Sequence, residues 1–247
     1  MERLTTPEGR EIALVRTTGV GPTVLFLSGF KSDMEGTKAV HLEAWAAARG
    51  QSFVRFDYSG HGQSGGRFEE GAIGDWFEDA RAVLSSIEGP VVLVGSSMGG
   101  WISLLLSRAL PERIAGLVTI AAAPDFTEDS MWASFTPEVR ERLEREGQIA
   151  LPSDYGEPYI ITRRLIEEGR ERLVLRSSLP LPFPTRFLQG TADADVSQEV
   201  ALRLLDHAEG PDMRLTLVKG ADHRFSDHDC LALIETALEE VLERATS

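Results

Sequence analysis

Residues 90–106 read PVVLVGSSMGGWISLLL: a run of β-branched and apolar residues, two serines set between glycines, then an apolar stretch with helical spacing. The pattern GxSxG, here Gly95 to Gly99 with Ser97 at its centre, acquires mechanical meaning between a strand and a helix. Small residues at Gly95 and Gly99 let the backbone turn sharply, so the Ser97 hydroxyl is displayed above the edge of a sheet. The Met98 amide then opens a helix, where free N–H groups and the helix dipole favour a developing oxyanion. Ser96 is read as a small residue that eases the turn.

The chain on either side has the rhythm of a parallel sheet covered by helices on both faces. Strand-like runs start at Thr23 (TVLFLSG), Ser52 (SFVRFDY), Pro90 and Ile114 (IAGLVTIAA), and two more follow at Thr185 (TRFLQG) and Met213 (MRLTLVKG). Their unbroken apolar character suits strands buried on both sides. Apolar residues three and four apart predict helices over 37–49, 73–87, 98–109, 197–208 and 226–244. The N-terminal stretch is expected to form an antiparallel hairpin turning at TPEGR. Between residues 125 and 184 the alternation stops and prolines, aromatics and charged helical segments take over without an obvious buried strand. The expected organisation is a core of residues 1–124 and 185–247 with a helical cap inserted at 125–184, returned to the sheet by the stiff SSLPLPFP.

Composition bounds the function. The 247 residues carry a formal net charge of −14, with 42% hydrophobic residues and one cysteine, Cys230. That acidity argues against nucleic acid and anionic lipid as partners, both of which need clustered Lys and Arg. One cysteine cannot form an internal disulfide, so the expectation is a reducing compartment, the cytoplasm. The N-terminus lacks the order of a secretory signal or transit peptide, and no apolar run reaches the ~20 residues of a membrane helix. The expected partner is a small-molecule or acylated substrate, without membrane insertion.

A serine hydroxyl needs a positioned base and a group to orient it. LQGTADADV places Asp193 and Asp195 after a strand, and either could orient a base; His223 follows the last strand in LVKGADHRFSDHD. His228 sits at a helix start and is read as a cap or surface residue, and His41 and His207 as helix-surface residues. The loop after the first central strand, LSGFKSD, supplies a second oxyanion donor in the Phe30 amide, with Gly29 permitting close approach. GHGQSG, from Gly60, formally matches a dinucleotide fingerprint, but loop residues follow where that fingerprint needs a helix. The histidines lack paired helical spacing, so no metal site is expected. Trp132, Phe135, Tyr155 and Tyr159 are candidate pocket residues within the insertion.

In their order, RFDYSGHGQS, GSSMG, QGTADADV and GADH resemble the α/β-hydrolase family. GTKA, RFDYSG, GSSMGGW and DHR are similar, more narrowly, to its palmitoyl-protein thioesterase and acyl-glucuronide esterase branch. The resemblance implies that Ser97 is nucleophile, Asp193 acid and His223 base, and that Asp57 and His61 are architectural; no cofactor is expected, because the nucleophile, the base and the electrostatic stabilisation all come from the protein. It implies hydrolysis of carboxylic esters or thioesters through an acyl-enzyme. The same scaffold also hosts carbon–carbon bond hydrolysis, acyl transfer and non-catalytic ligand reception. Two departures stand out: Gln189 where the family usually has histidine, and SGF where HG is common.

Overall fold

The computed structural model describes residues 1–151 and 158–245; Tyr155 lies outside them. The chain runs β1 (Glu2–Thr5), β2 (Glu11–Thr17), β3 (Val20–Leu27), α1 (Thr37–Arg49), β4 (Gln51–Phe56), α2 (Ile73–Ser85), β5 (Val91–Ser96), α3 (Met98–Ala109) and β6 (Ile114–Ile120). It continues with a π-helical turn at Thr127–Trp132, α4 (Pro137–Glu146), β7 (Gln148–Leu151), β8 (Tyr159–Thr162), α5 (Arg163–Arg170) and β9 (Leu179–Pro180). The last elements are β10 (Thr185–Gly190), α6 (Gln198–His207), β11 (Ala208–Glu209), β12 (Met213–Val218) and α7 (His228–Ala245).

Eight strands form one sheet in the order β1-β2-β4-β3-β5-β6-β10-β12. The first two enter antiparallel, as the TPEGR turn predicts, and the six from β4 to β12 are parallel. All six residues of β5 are buried, because helices cover both faces. Successive side chains of a strand point to opposite faces, and β3 divides accordingly. Leu25 and Leu27 join the core beneath α2 and α3, whereas Val24 and Phe26 join the core beneath α1 and α7.

From β3 the chain crosses to β4 on one side, and from β5 it crosses to β6 on the other. The loops that leave β3 and β5 therefore part at the carboxyl edge and open a crevice, the usual ligand position in open α/β sheets. Gly29 and Phe30 follow one of these strands and Ser97 the other.

The segment 125–184, read from sequence as having no obvious buried strand, contributes to two short strand pairings, one of them β9 with β11 of the core. Besides its helices it contains an antiparallel β7–β8 pair, in register from Gln148↔Thr162 to Leu151↔Tyr159, with Ile149 and Ile161 buried. Four-residue strands are too short to establish a period of two, so nothing in QIAL or YIIT distinguishes them locally. The Asp125 carboxylate accepts the Val174 and Leu175 amides at 2.8 and 3.0 Å, tying the entry of this segment to its exit. Among the described residues no helix is long and apolar enough to cross a membrane.

Candidate active site

Ser97 sits at φ 54°, ψ −117°, a backbone conformation that costs a non-glycine residue roughly 1–3 kcal/mol and persists only where its surroundings over-determine it. They do so here. The Ser97 amide donates to Ile120 O at 2.9 Å, and Ser97 O accepts from the Gly100 and Ala123 amides at 2.9 and 3.1 Å. The flanking glycines are required by space. A Cβ on Gly95 would lie 2.4 Å from Gly99 O and 2.5 Å from Ser103 Oγ, and one on Gly99 would lie 2.0 Å from Leu27 O.

Backbone cannot yield as a flexible side chain can, so Gly99→Ala is expected to cost about 3 kcal/mol, the upper end of usual overpacking penalties. For a domain of this size that corresponds to a Tm roughly 6–12 °C lower. Thermal unfolding checks this; an unchanged Tm would mean that α3 does not press on β3 as closely as described.

His223 lies in the loop after β12, between Asp193 and Ser97. Its Nδ1 is 2.8 Å from Asp193 Oδ2 and its Nε2 is 3.1 Å from Ser97 Oγ. Asp193 Oδ1 accepts the Asp195 and Val196 amides at 2.9 and 2.8 Å. Burial by itself would raise the Asp193 pKa. Hydrogen bonds from His223, Val196 and Gln189 outweigh it and hold the carboxyl below its ordinary value. The ring thus faces a carboxylate at Nδ1 and the serine hydroxyl at Nε2.

Of the two acids open to sequence reasoning, Asp193 faces the ring, while Asp195 is exposed and donates its amide to Asp193. His228 is an exposed first residue of α7. His41 reaches from α1 to Glu235 on α7 at 2.6 Å, and His207 Nε2 lies 2.8 Å from Ser177 O. None of these three approaches Ser97.

The loop carrying Phe30 is braced from the DYSGHGQS turn. Asp57 accepts the Met34 and Gln63 amides at 2.6 and 2.7 Å. The His61 Nε2 accepts the Lys31 amide at 3.3 Å while its Nδ1 faces Ser59 O at 3.1 Å. Burial pushes the His61 pKa down to about 4, so the ring is neutral near pH 7 and can accept at Nε2. Gly29 passes so close that a Cβ there would lie 3.3 Å from Ser97 Cβ. The Met98 amide is the first of α3 and, like every first-turn N–H, has no intrahelical acceptor.

A cavity of about 800 Å³ opens over Ser97 and His223. Tyr159 lines it, together with Phe30, Phe126, Met131, Val196 and Val200. Trp132 and Phe135 do not, in contrast to the sequence expectation. They meet edge to face at 6.2 Å, and the guanidinium groups of Arg140 and Arg170 lie 5.0 and 4.6 Å from the centre of the Trp132 ring. These partners of the Trp132 ring all lie within the insertion itself. Three basic residues, Lys31, Lys38 and Arg224, and three acidic ones, Asp33, Asp129 and Asp195, also line the cavity. Burial lowers the Lys38 pKa to about 8.

Residues 20–164 match the family of serine aminopeptidase S33, Hydrolase_4. The chain is 34% identical over 244 residues to the rat protein named palmitoyl-protein thioesterase ABHD10, mitochondrial, covering 98% of this chain and 82% of that one. The human protein of the same name is 30% identical, with 99% and 80% covered. Among solved structures, a protein from Agrobacterium vitis S4 superposes with a TM-score of 0.94 at 39% identity, covering 98% of both chains. Mouse alpha/beta hydrolase domain-containing protein 10 superposes with a TM-score of 0.91 at 33% identity, again over 98% of both.

Proposed function

We propose that this chain, which belongs to the serine aminopeptidase S33 family of α/β-hydrolases, cleaves carboxylic esters or thioesters through an acyl-enzyme on Ser97. One observation carries the reading: an acid, an imidazole and a serine hydroxyl aligned at 2.8 and 3.1 Å on a strained turn that faces a cavity. In this mechanism His223 Nε2 takes the Ser97 proton as Oγ attacks the acyl carbonyl. Asp193 holds the ring's tautomer and stabilises its charged form. The amides of Phe30 and Met98 receive the tetrahedral oxyanion. The intermediate collapses as His223 returns the proton to the departing thiol or alcohol. A water, activated by the same imidazole, then releases the acid and regenerates the serine.

The segment 125–184 acts as a cap, giving Phe126, Met131 and Tyr159 to the wall above the serine. The thioesterase names of the full-length relatives support a long-chain acyl thioester as substrate, with acyl-glucuronides as the alternative. The lone buried Cys230 supports a reducing compartment such as the cytoplasm.

The test is labelling by a fluorophosphonate probe, followed by turnover of nitrophenyl esters and acyl-CoA thioesters of graded chain length. Labelling and hydrolysis of both classes are expected. Labelling with a response that falls beyond short chains would redirect the substrate toward small esters. An unlabelled protein inert toward every activated acyl substrate would fit a ligand receptor and overturn the proposal.

A further inference from the structure

Gln189 closes β10 and is fully buried, at the position where the α/β-hydrolase pattern usually has histidine. Its Nε2 lies within hydrogen-bond distance of three oxygens: Asp193 Oδ2 at 3.0 Å, Gly190 O at 3.1 Å and Val196 O at 2.9 Å. Its Oε1 is buried with no partner among the described residues. These two facts fix the orientation of the amide. Turned over, it would set Oε1 against three oxygens that offer only lone pairs, and Nε2 where no acceptor waits. The chain leaves a carbonyl oxygen unsatisfied in order to aim an N–H at Asp193, and a buried orphan of this kind calls for an explanation.

The oxygen that receives this N–H is the one that faces His223. Asp193 Oδ2 accepts from Gln189 Nε2 and lies 2.8 Å from His223 Nδ1, while Oδ1 takes the two backbone amides of Asp195 and Val196. The backbone pair anchors one end of the carboxylate. Gln189 supplies the contact that sets the plane of the other end, and hence the direction in which His223 is held. We infer that Gln189 is a positioning residue, whose amide N–H orients the Asp193 carboxylate toward His223. The inference rests on the Ser97, His223 and Asp193 roles proposed above. It explains the departure from the family pattern, because the amide is a neutral donor with no acid–base chemistry of its own at this position.

Two variants test it, with fluorophosphonate labelling of Ser97 as the control. Gln189→Met keeps the bulk and removes the donor; kcat is expected to fall about 10-fold with KM changed less than about twofold, since supporting hydrogen bonds act on the geometry of the reacting groups. Gln189→Glu is isosteric, and the carboxyl it introduces can donate to Asp193 only while protonated. A second carboxyl beside Asp193 has its pKa raised by burial and like charge. The ratio of the variant's kcat to that of the wild type should therefore fall about 10-fold or more between pH 6 and pH 9.

A purely structural role predicts a lowered Tm with a pH-independent ratio, and that result overturns the inference, as does a wild-type kcat in Gln189→Met. Should the buried carboxyl prevent folding, Gln189→Asn retains the same groups but is too short to reach Asp193. It must then show the kcat loss of Gln189→Met. A wild-type protein that is not labelled at Ser97 refutes the triad reading itself, a different outcome from a labelled enzyme indifferent to Gln189.

Discussion

Replacing Ser97 with alanine is expected to lower kcat on an activated ester by roughly 10^5- to 10^6-fold, the scale seen when a serine nucleophile is removed from a preorganised triad. Fluorophosphonate labelling should vanish with it. The fold should survive, because the Ser97 backbone bonds to Ile120, Gly100 and Ala123 hold the turn and the side-chain hydroxyl contacts only His223 Nε2 among the described residues. A thermal scan should place the variant within about 3 °C of wild type, equivalent to about 1 kcal/mol in a domain of this size. Ser96 also borders the cavity, which makes Ser96→Ala the informative control; it should retain activity and labelling. Labelling that persists in Ser97→Ala and disappears in Ser96→Ala would move the nucleophile by one residue and contradict the geometry of the turn.

The second large effect is Asp193→Asn, with kcat expected to fall about 10^4-fold near neutral pH. The direction follows from the donors around the carboxylate. Two backbone N–H groups, from Asp195 and Val196, point at Oδ1, so the asparagine oxygen must turn toward them. Its NH₂ group is then driven to the side that faces His223 Nδ1 and Gln189 Nε2. Two donors now confront the imidazole and the glutamine amide. The ring adapts by giving up the Nδ1 proton and carrying it on Nε2, where it meets Ser97 Oγ as a donor instead of a base. The variant should therefore be folded, slow in turnover and slow in fluorophosphonate labelling, with both rates reduced together. Activity within tenfold of wild type would show that Asp193 does not set the tautomer.

The donor arrangement that governs this outcome is only partly legible in the sequence. The spacing from Asp193 to Val196 is local, and an aspartate that accepts amides two and three residues ahead is ordinary turn chemistry. The Gln189 contact is not legible. QGTAD reveals a departure from the histidine pattern, yet nothing in those letters says that the amide turns toward the acid and away from solvent. That orientation depends on the Gly190 and Val196 carbonyls, whose positions are set by how the loop closes over the end of β10. The pocket behaves in the same way. Tyr159 and Trp132 are both aromatics in one charged, proline-rich segment. Tyr159 stands at the cavity because β8 pairs with β7, whereas Trp132 packs against Phe135, Arg140 and Arg170. Residue type does not distinguish them.

Local sequence is enough to set the alternation of strands and helices, the sharp corner at Ser97 and the order in which serine, acid and histidine follow one another. These are consequences of short-range periodicity and of backbone conformations that small residues permit. Which groups meet is settled by the packing of distant parts of the chain. His223 and Ser97 are 126 residues apart and Asp193 is 30 residues from His223, and they come together only because parallel strands deliver all three loops to one edge of the sheet. Periodicity tells a side chain which face of its own element to occupy. It carries no information about which loop from elsewhere in the chain will arrive opposite, and the Gln189 amide and the cavity wall both depend on that arrival.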